Sequence, residues 1–249
     1  MAHTIKDNFS NQSDTYAMFR PGYPDALFDF ILNHTEGRSA ALDCATGNGQ
    51  VAGVLSEYFN QVFATDISEK QLQHAIQKSN IHYSVSRAEV NNFDNSQFDL
   101  ITVGQAAHWF DLPLFYKEVS RILKPGGLLA LFGYVLPTIN EEVDSVIHEF
   151  YEGVLGKYWD PERKIVDDRY RSIPFPYQKI TNNGFEKSYE WSKEQLIGFL
   201  SSWSAVQHYK KSTGEDAMEK LLKPMGEVWT DGDVKRITFP VFVIAGLKG

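Results

Sequence analysis

Ten residues, numbers 41–50 with the sequence Ala-Leu-Asp-Cys-Ala-Thr-Gly-Asn-Gly-Gln, constrain this chain more than any others. Residues 41–44 read as the end of a buried strand and 45–49 as a tight turn of small residues. A helix then starts whose Val51, Val54, Leu55 and Tyr58 fall at i, i+3, i+4 and i+7. Glycine lets backbone N–H groups approach a ligand with no Cβ in the way. The helix start behind the turn adds unpaired donors and a positive dipole end. Such a corner binds an anionic or strongly polar small molecule at the carboxyl edge of a parallel sheet.

The rest of the chain repeats this strand–helix rhythm. Strands are predicted at 39–44, 61–65 with Asp66 at the tip, 81–85, 98–105 and 128–132, then at 185–191 and 241–247. A helix at 25–33 turns Leu27, Phe28, Ile31 and Leu32 inward. Ser68-x-x-Gln71 and Ser192-x-x-Gln195 are capping-box patterns. The first opens a helix expected to bury Leu72, Ala75 and Ile76, and the second one that buries Leu196, Phe199, Leu200 and Trp203. Asp111 caps a helix carrying Phe115, Val119, Ile122 and Leu123. Further helices are expected at 140–155 and at 213–229, the latter with Met218, Leu221, Leu222 and Met225 in step. Five strands alternating with helices, then two terminal strands, predict a doubly wound α/β sheet in a single domain spanning 1–249. Its parts are a cap at 1–34, a core at 35–134, an insertion at 135–184 that covers the substrate side, and a closing segment at 185–249. The insertion is long for a plain connection.

Asp43-x-Ala45-x-Gly47-x-Gly49 resembles motif I of the class I S-adenosylmethionine-dependent methyltransferases, with Ala45 at the first of three usual glycines. Residues 98–105 resemble that family's motif IV, and Leu123-Lys124-Pro125-Gly126-Gly127 its turn into strand five. The likeness covers 35–135 by motif. It implies a Rossmann-like seven-stranded sheet, mostly parallel, with strand seven antiparallel between five and six. The cofactor it implies is S-adenosylmethionine. Ala45, Gly47, Asn48 and Gly49 would then pass under the methionine part, and Asp43 would face its amino group. Asp66 would accept hydrogen bonds from both ribose hydroxyls, with Ile67 on the adenine face; the plain alternative is a turn aspartate. Ala88 and Glu89 would meet the adenine amino group, though Glu89 could equally be a surface charge. Gln105 and Ala106 leave the sheet beside the reactive methyl. The segment Tyr16-x-x-x-Arg20-Pro21-x-Tyr23-Pro24 resembles the amino-terminal cap of a small-molecule subgroup that includes trans-aconitate methyltransferase-like proteins. There Tyr16 and Arg20, four apart on one helix face, close over the cofactor; the alternative is a solvated arm.

A nicotinamide cofactor is the rival, because Gly47-x-Gly49-x-x-Ala52 fits a loose dinucleotide fingerprint and Asp66 the ribose acid. Asp43 weighs against it: a carboxylate there repels a pyrophosphate and attracts an ammonium. The strand-four and strand-five patterns also fit the methyltransferases, and no Tyr-x-x-x-Lys pair stands where a short-chain dehydrogenase carries its acid.

The formal net charge of −8 argues against a nucleic-acid partner. Cys44, the only cysteine, reads as a small buried hydrophobe and excludes an internal disulfide. No Cys/His cluster has metal spacing, so no metal is expected. Residues 1–10 lack a signal-peptide core and no apolar run spans a bilayer, so a cytoplasmic protein without a membrane partner is expected. The expected reaction is methyl transfer to a small acceptor at a carboxylate or hydroxyl oxygen, and the trans-aconitate-like resemblance points toward an acidic one. His108 is the candidate base, if one is used. Its other reading is a residue that orients the loop. Trp109, Tyr158, Trp159, Arg163 and Arg169 are the candidate acceptor-binding residues, the arginines as a carboxylate clamp or else as a solvated face beside Asp167 and Asp168. A protein or RNA methyltransferase and a binding protein that has lost catalysis stay open, as does the oligomeric state.

Overall fold

A computed structural model describes residues 21–249. Its centre is one seven-stranded sheet in the order β3-β2-β1-β4-β5-β7-β6. The strands are β1 Ala40–Cys44, β2 Gln61–Asp66, β3 Ile81–Val85, β4 Phe98–Gly104, β5 Leu123–Tyr134, β6 Ile180–Ser192 and β7 Val234–Leu247. The first five pair in parallel, while β7 runs antiparallel to both β5 and β6. Strand order reverses between β1 and β4, and a crevice opens there at the carboxyl edge.

Alternation along the strands splits the apolar residues between two cores. Ala41, Leu128, Ala130 and Phe132 face one side, where α1 (Asp25–Asn33) and α2 (Gln50–Leu55) pack. Leu42, Cys44, Leu129 and Leu131 face the other, against α4 (Leu112–Ile122). Between these lies α3, Glu69–Gln73. The insertion after β5 contains α5 (Glu141–His148), a wide turn at Glu149–Val154 and α6 (Arg163–Asp167). Its Phe150, Tyr151 and Leu155 join the first core, and its Val166, Tyr170 and Ile173 join the second. The segment therefore crosses from one face of the sheet to the other.

Several elements differ from the sequence expectation. The helix expected over 213–229 starts later, as α9 (Met218–Val228), because a helix that the spacing did not predict, α8 (Ser204–Thr213), fills the preceding segment and ends at Gly214 in a left-handed turn at φ +77°. α7, Lys193–Ser201, precedes them. Strand β7 starts seven residues earlier than expected. Pro240 reads as a strand boundary in sequence, yet its missing N–H lies on the side where the ladder to β5 has already stopped, beyond Tyr134 and Val241. α3 ends at Gln73, so Ile76 is exposed rather than buried; Tyr58, beyond the end of α2 at Leu55, and Leu222, within α9, are exposed too.

Candidate functional site

The crevice between β1 and β4 is lined by the ends of both strands and the turns that follow them. Its floor is the turn from Ala45 to Asn48, its far wall Gly104, Gln105 and Tyr134, and its rim Pro21 and Tyr23. Two residues with a Cβ hold left-handed backbone here, Ala45 at φ +57° and Gln105 at φ +54°. Such strain persists only where surrounding bonds over-determine it. For Gln105 those bonds are visible: its Oε1 accepts from the Tyr134 N–H at 2.8 Å and its Nε2 donates to the Tyr134 carbonyl at 3.1 Å. The side chain thus braces the end of β5 against the end of β4. Gly47 and Gly49 are also left-handed, at φ +56° and +78°. A Cβ on Gly49 would lie 2.3 Å from the Tyr83 hydroxyl, whereas one on Gly47 would meet nothing closer than 4.0 Å.

Asp43 lines the crevice but is only 1 % exposed. Its Oδ2 accepts from the Thr46 hydroxyl and from the Ala52 N–H, and its Oδ1 from the Thr102 hydroxyl at 3.0 Å. Burial nevertheless pushes its pKa up to about 6, against the pull of those three hydrogen bonds. Asp66 ties two turns together: Oδ2 accepts from the Gly47 N–H and Oδ1 from the Ser68 N–H, each at 2.9 Å. Ile67, beside it, leaves 43 % of its surface exposed. Glu89 accepts from Arg87 at 3.2 Å and from the Asp111 N–H at 3.1 Å, which anchors the turn after β3 to the start of α4. Ala88 and Ala106 are half-buried against the second core. Tyr16 and Arg20 lie outside the described residues.

His108 is 8 % exposed and does not line this crevice. It sits in the short helical turn Ala107–Trp109 after β4, with Nδ1 2.9 Å from the Tyr170 hydroxyl. Tyr170 is fully buried, and burial raises its phenol pKa. The N–H groups of Ala107 and His108 also face the phenol oxygen. With two N–H groups facing it, that oxygen is placed to donate its own proton to Nδ1. Arg169 and Tyr170 are both left-handed, at φ +56° and +58°, and this consecutive pair aims Tyr170 into the core. Tyr170 has no motif, and only the fold brings it to a turn sixty residues upstream.

The acceptor-binding candidates divide. Trp109 packs on the His108 ring at 4.7 Å. Tyr158 packs on Tyr209, and Trp159 on Tyr151 and Trp203 while its Nε1 donates to the Tyr151 carbonyl. Arg163 stacks on Tyr151 and Trp159, bonds the Tyr151 hydroxyl at 2.8 Å and pairs with Asp167 at 3.1 Å. These three belong to an aromatic cluster that holds the insertion onto α7 and α8. Arg169 is half-buried and has no partner among the described residues.

The donor set suits a cationic amino-acid nucleoside. The left-handed turn exposes backbone at Gly47 with room above it. A buried carboxylate with a raised pKa gains from a nearby cation. One buried amide beside the turn, Gln71 Nε2, has no hydrogen-bond partner. Among the described residues no cluster of His, Cys, Asp and Glu could hold a metal ion, and no helix is long and apolar enough to cross a membrane.

A family model described as a methyltransferase domain matches residues 42–131. A Dictyostelium discoideum protein provisionally named a methyltransferase is 36 % identical over 97 % of this chain and 95 % of its own length. A Saccharomyces cerevisiae protein named as a probable S-adenosylmethionine-dependent methyltransferase is 27 % identical over 67 % of this chain and 62 % of its own. The solved structure of a chain from Anaeromyxobacter dehalogenans, provisionally named a type II methyltransferase, superposes with a TM-score of 0.84 at 35 % identity, covering 92 % of this chain and 98 % of that one.

Proposed function

Because the chain belongs to the class I S-adenosylmethionine-dependent methyltransferases, we propose that it methylates a small-molecule acceptor at an oxygen, either a carboxylate or a hydroxyl. The observation that carries the acceptor class is the insertion. It runs from one core to the other and docks Tyr170 on the turn that follows β4. A cover anchored there favours an acceptor small enough to pass beneath it over a polymer. The net charge of −8 points the same way, since a nucleic-acid substrate calls for a basic face.

The cofactor supplies a sulfonium methyl group that is electrophilic before the enzyme acts on it. The protein's part is to orient the acceptor oxygen and exclude water. In this reading Asp66 binds the ribose hydroxyls while its bonds to Gly47 and Ser68 hold it still. Asp43 carries the buried charge that favours the ammonium. The Ala45–Asn48 turn lies under the methionine part, with Gln105 and Ala106 opposite, and Ile67, Ala88 and Glu89 surround the adenine. Tyr23 and Tyr134, whose rings are 6.3 Å apart, provide an apolar, electron-rich wall. A carboxylate acceptor is ionised at neutral pH and needs no base. We assign His108 to positioning, with the Tyr170 hydroxyl donating to Nδ1; in that tautomer Nε2 carries the ring proton and no lone pair is left to take an acceptor's proton.

Incubation with methyl-labelled cofactor and a panel of small carboxylic acids and phenols tests this reading. Label in one or more low-molecular-weight products, and none in RNA or protein, is expected. Label confined to RNA or protein would overturn the acceptor class. Binding of the demethylated cofactor without turnover of any acceptor class would instead indicate a protein that has kept the cofactor site and lost catalysis.

A further inference from the structure

The two Ser-x-x-Gln sequences fold differently, and the difference falls beside the cofactor crevice. At Ser192 the capping box is complete. The Ser192 hydroxyl accepts from the Gln195 N–H at 3.4 Å, and the Ser192 N–H donates to Gln195 Oε1 at 2.9 Å. At Ser68 only the first half forms, again at 3.4 Å. The Ser68 N–H donates instead to Asp66 Oδ1 at 2.9 Å. Gln71 is thereby displaced from the role its spacing gives it.

Its amide finds no substitute. Gln71 is 3 % exposed, and its Nε2 is the one buried side-chain polar atom without a hydrogen-bond partner among the described residues. The amide is nevertheless in a specific place. A Cβ built on Gly47 would have Gln71 Oε1 as its nearest neighbour, at 4.0 Å, and the Gly47 N–H is the group that holds Asp66 Oδ2. Asp66 and the Gln71 amide therefore flank the same peptide of the turn. A carboxylate offers acceptors only, whereas an amide offers both donor and acceptor, and its two ends exchange by a flip of the terminal torsion. Together they match a vicinal diol, whose two hydroxyls each donate and accept.

Resting on the cofactor reading above, we propose that Gln71 is a cofactor-binding residue whose amide hydrogen-bonds a ribose hydroxyl of the bound nucleoside beside Asp66. The open capping box keeps that amide unspent until the ribose arrives. An unpaired buried amide is costly in the free protein and is repaid on binding.

The test is Gln71→Met, which keeps the length of the side chain and removes the polar atoms, with Gln71→Leu as a second variant and Gln195→Met as the control. Calorimetry uses S-adenosylhomocysteine and its 2′-deoxy and 3′-deoxy analogues, and melting is followed on the free protein. Both Gln71 variants are expected to bind S-adenosylhomocysteine ~10-fold more weakly while the free protein melts ~3 °C higher. At least one of the deoxy penalties should shrink relative to wild type, as a coupled pair requires. Gln195→Met should lower the melting temperature and leave binding unchanged. Unchanged affinity in the Gln71 variants, or deoxy penalties equal to those of wild type, would overturn the assignment alone. Wild-type protein that binds no S-adenosylhomocysteine would overturn the cofactor reading and this assignment with it.

Discussion

At the scale of single residues, the crevice stores strain and buried charge in measurable amounts. Ala45 occupies a left-handed turn position at φ +57°. An L-residue there costs about 1–2 kcal/mol relative to glycine, against about 0.4–1 kcal/mol that glycine loses through its freer unfolded chain. Ala45→Gly should therefore raise the melting temperature slightly, and a fall would show that the methyl group packs better than its backbone suggests. Asp43 makes a second case. Its carboxyl pKa is raised from 3.8 to about 6 by burial. A raised carboxyl favours the native state below pH 4, and that contribution is lost as the pH climbs through 6. Asp43→Asn removes the titration. Wild-type stability measured against this variant should improve by roughly 2 kcal/mol between pH 7 and pH 4. A difference that does not vary with pH would mean that the carboxyl is not desolvated.

At the scale of elements, turns do more than reverse the chain. Gly49 begins α2 where the Tyr83 hydroxyl, donating to the Ile76 carbonyl at 2.6 Å, crosses from β3. Gly49→Ala would put a Cβ 2.3 Å from that hydroxyl, at φ +78°. We expect a loss of about 2–3 kcal/mol in chemical unfolding, larger than for Gly47→Ala, where the site is open and only the backbone strain applies. Equal losses at the two positions would remove the steric argument. The Lys124-Pro125-Gly126-Gly127 turn carries an ion pair as well as its bend: Lys124 reaches Asp99 at 2.7 Å, and Asp99 also accepts from the Ser39 and Ala40 N–H groups at 2.9 Å. Lys124→Met should destabilise the fold by about 1–2 kcal/mol without changing cofactor affinity, since the pair lies at the amino edge of the sheet. A matching loss of affinity would mean that the two edges are coupled.

At the scale of the whole molecule, the insertion connects the two cores and sorts the arginines. Arg163 is committed to Tyr151, Trp159 and Asp167, so Arg163→Ala should lower stability and leave the KM for an acidic acceptor unchanged. Arg169 is the arginine of this segment with its charge uncommitted among the described residues. Arg169→Ala should raise that KM several-fold at constant stability. Steady-state kinetics on an acidic acceptor separates the two, and the opposite pattern would place the anion near the aromatic cluster.

The sequence alone determined the features that depend on neighbours in the chain. The glycine turn, the acids at the tips of β1 and β2, the Asp111 and Ser192 caps and the strand–helix alternation all follow from local spacing and backbone freedom. The resemblance then supplied the antiparallel β7, which no local signal encodes. Tertiary structure decided what depends on competition between distant partners. Ser68-x-x-Gln71 spells a closed box, but Asp66 takes the N–H that would close it. Arg163 and Arg169 look alike in sequence, and only one meets aromatic faces brought together by α7 and α8. His108 reads in sequence as a base or as a residue that orients its loop, and only the fold brings the Tyr170 hydroxyl, sixty-two residues away, to its Nδ1. A hydrogen bond goes to whichever group the fold delivers, and residue spacing cannot rank candidates that approach from outside the segment.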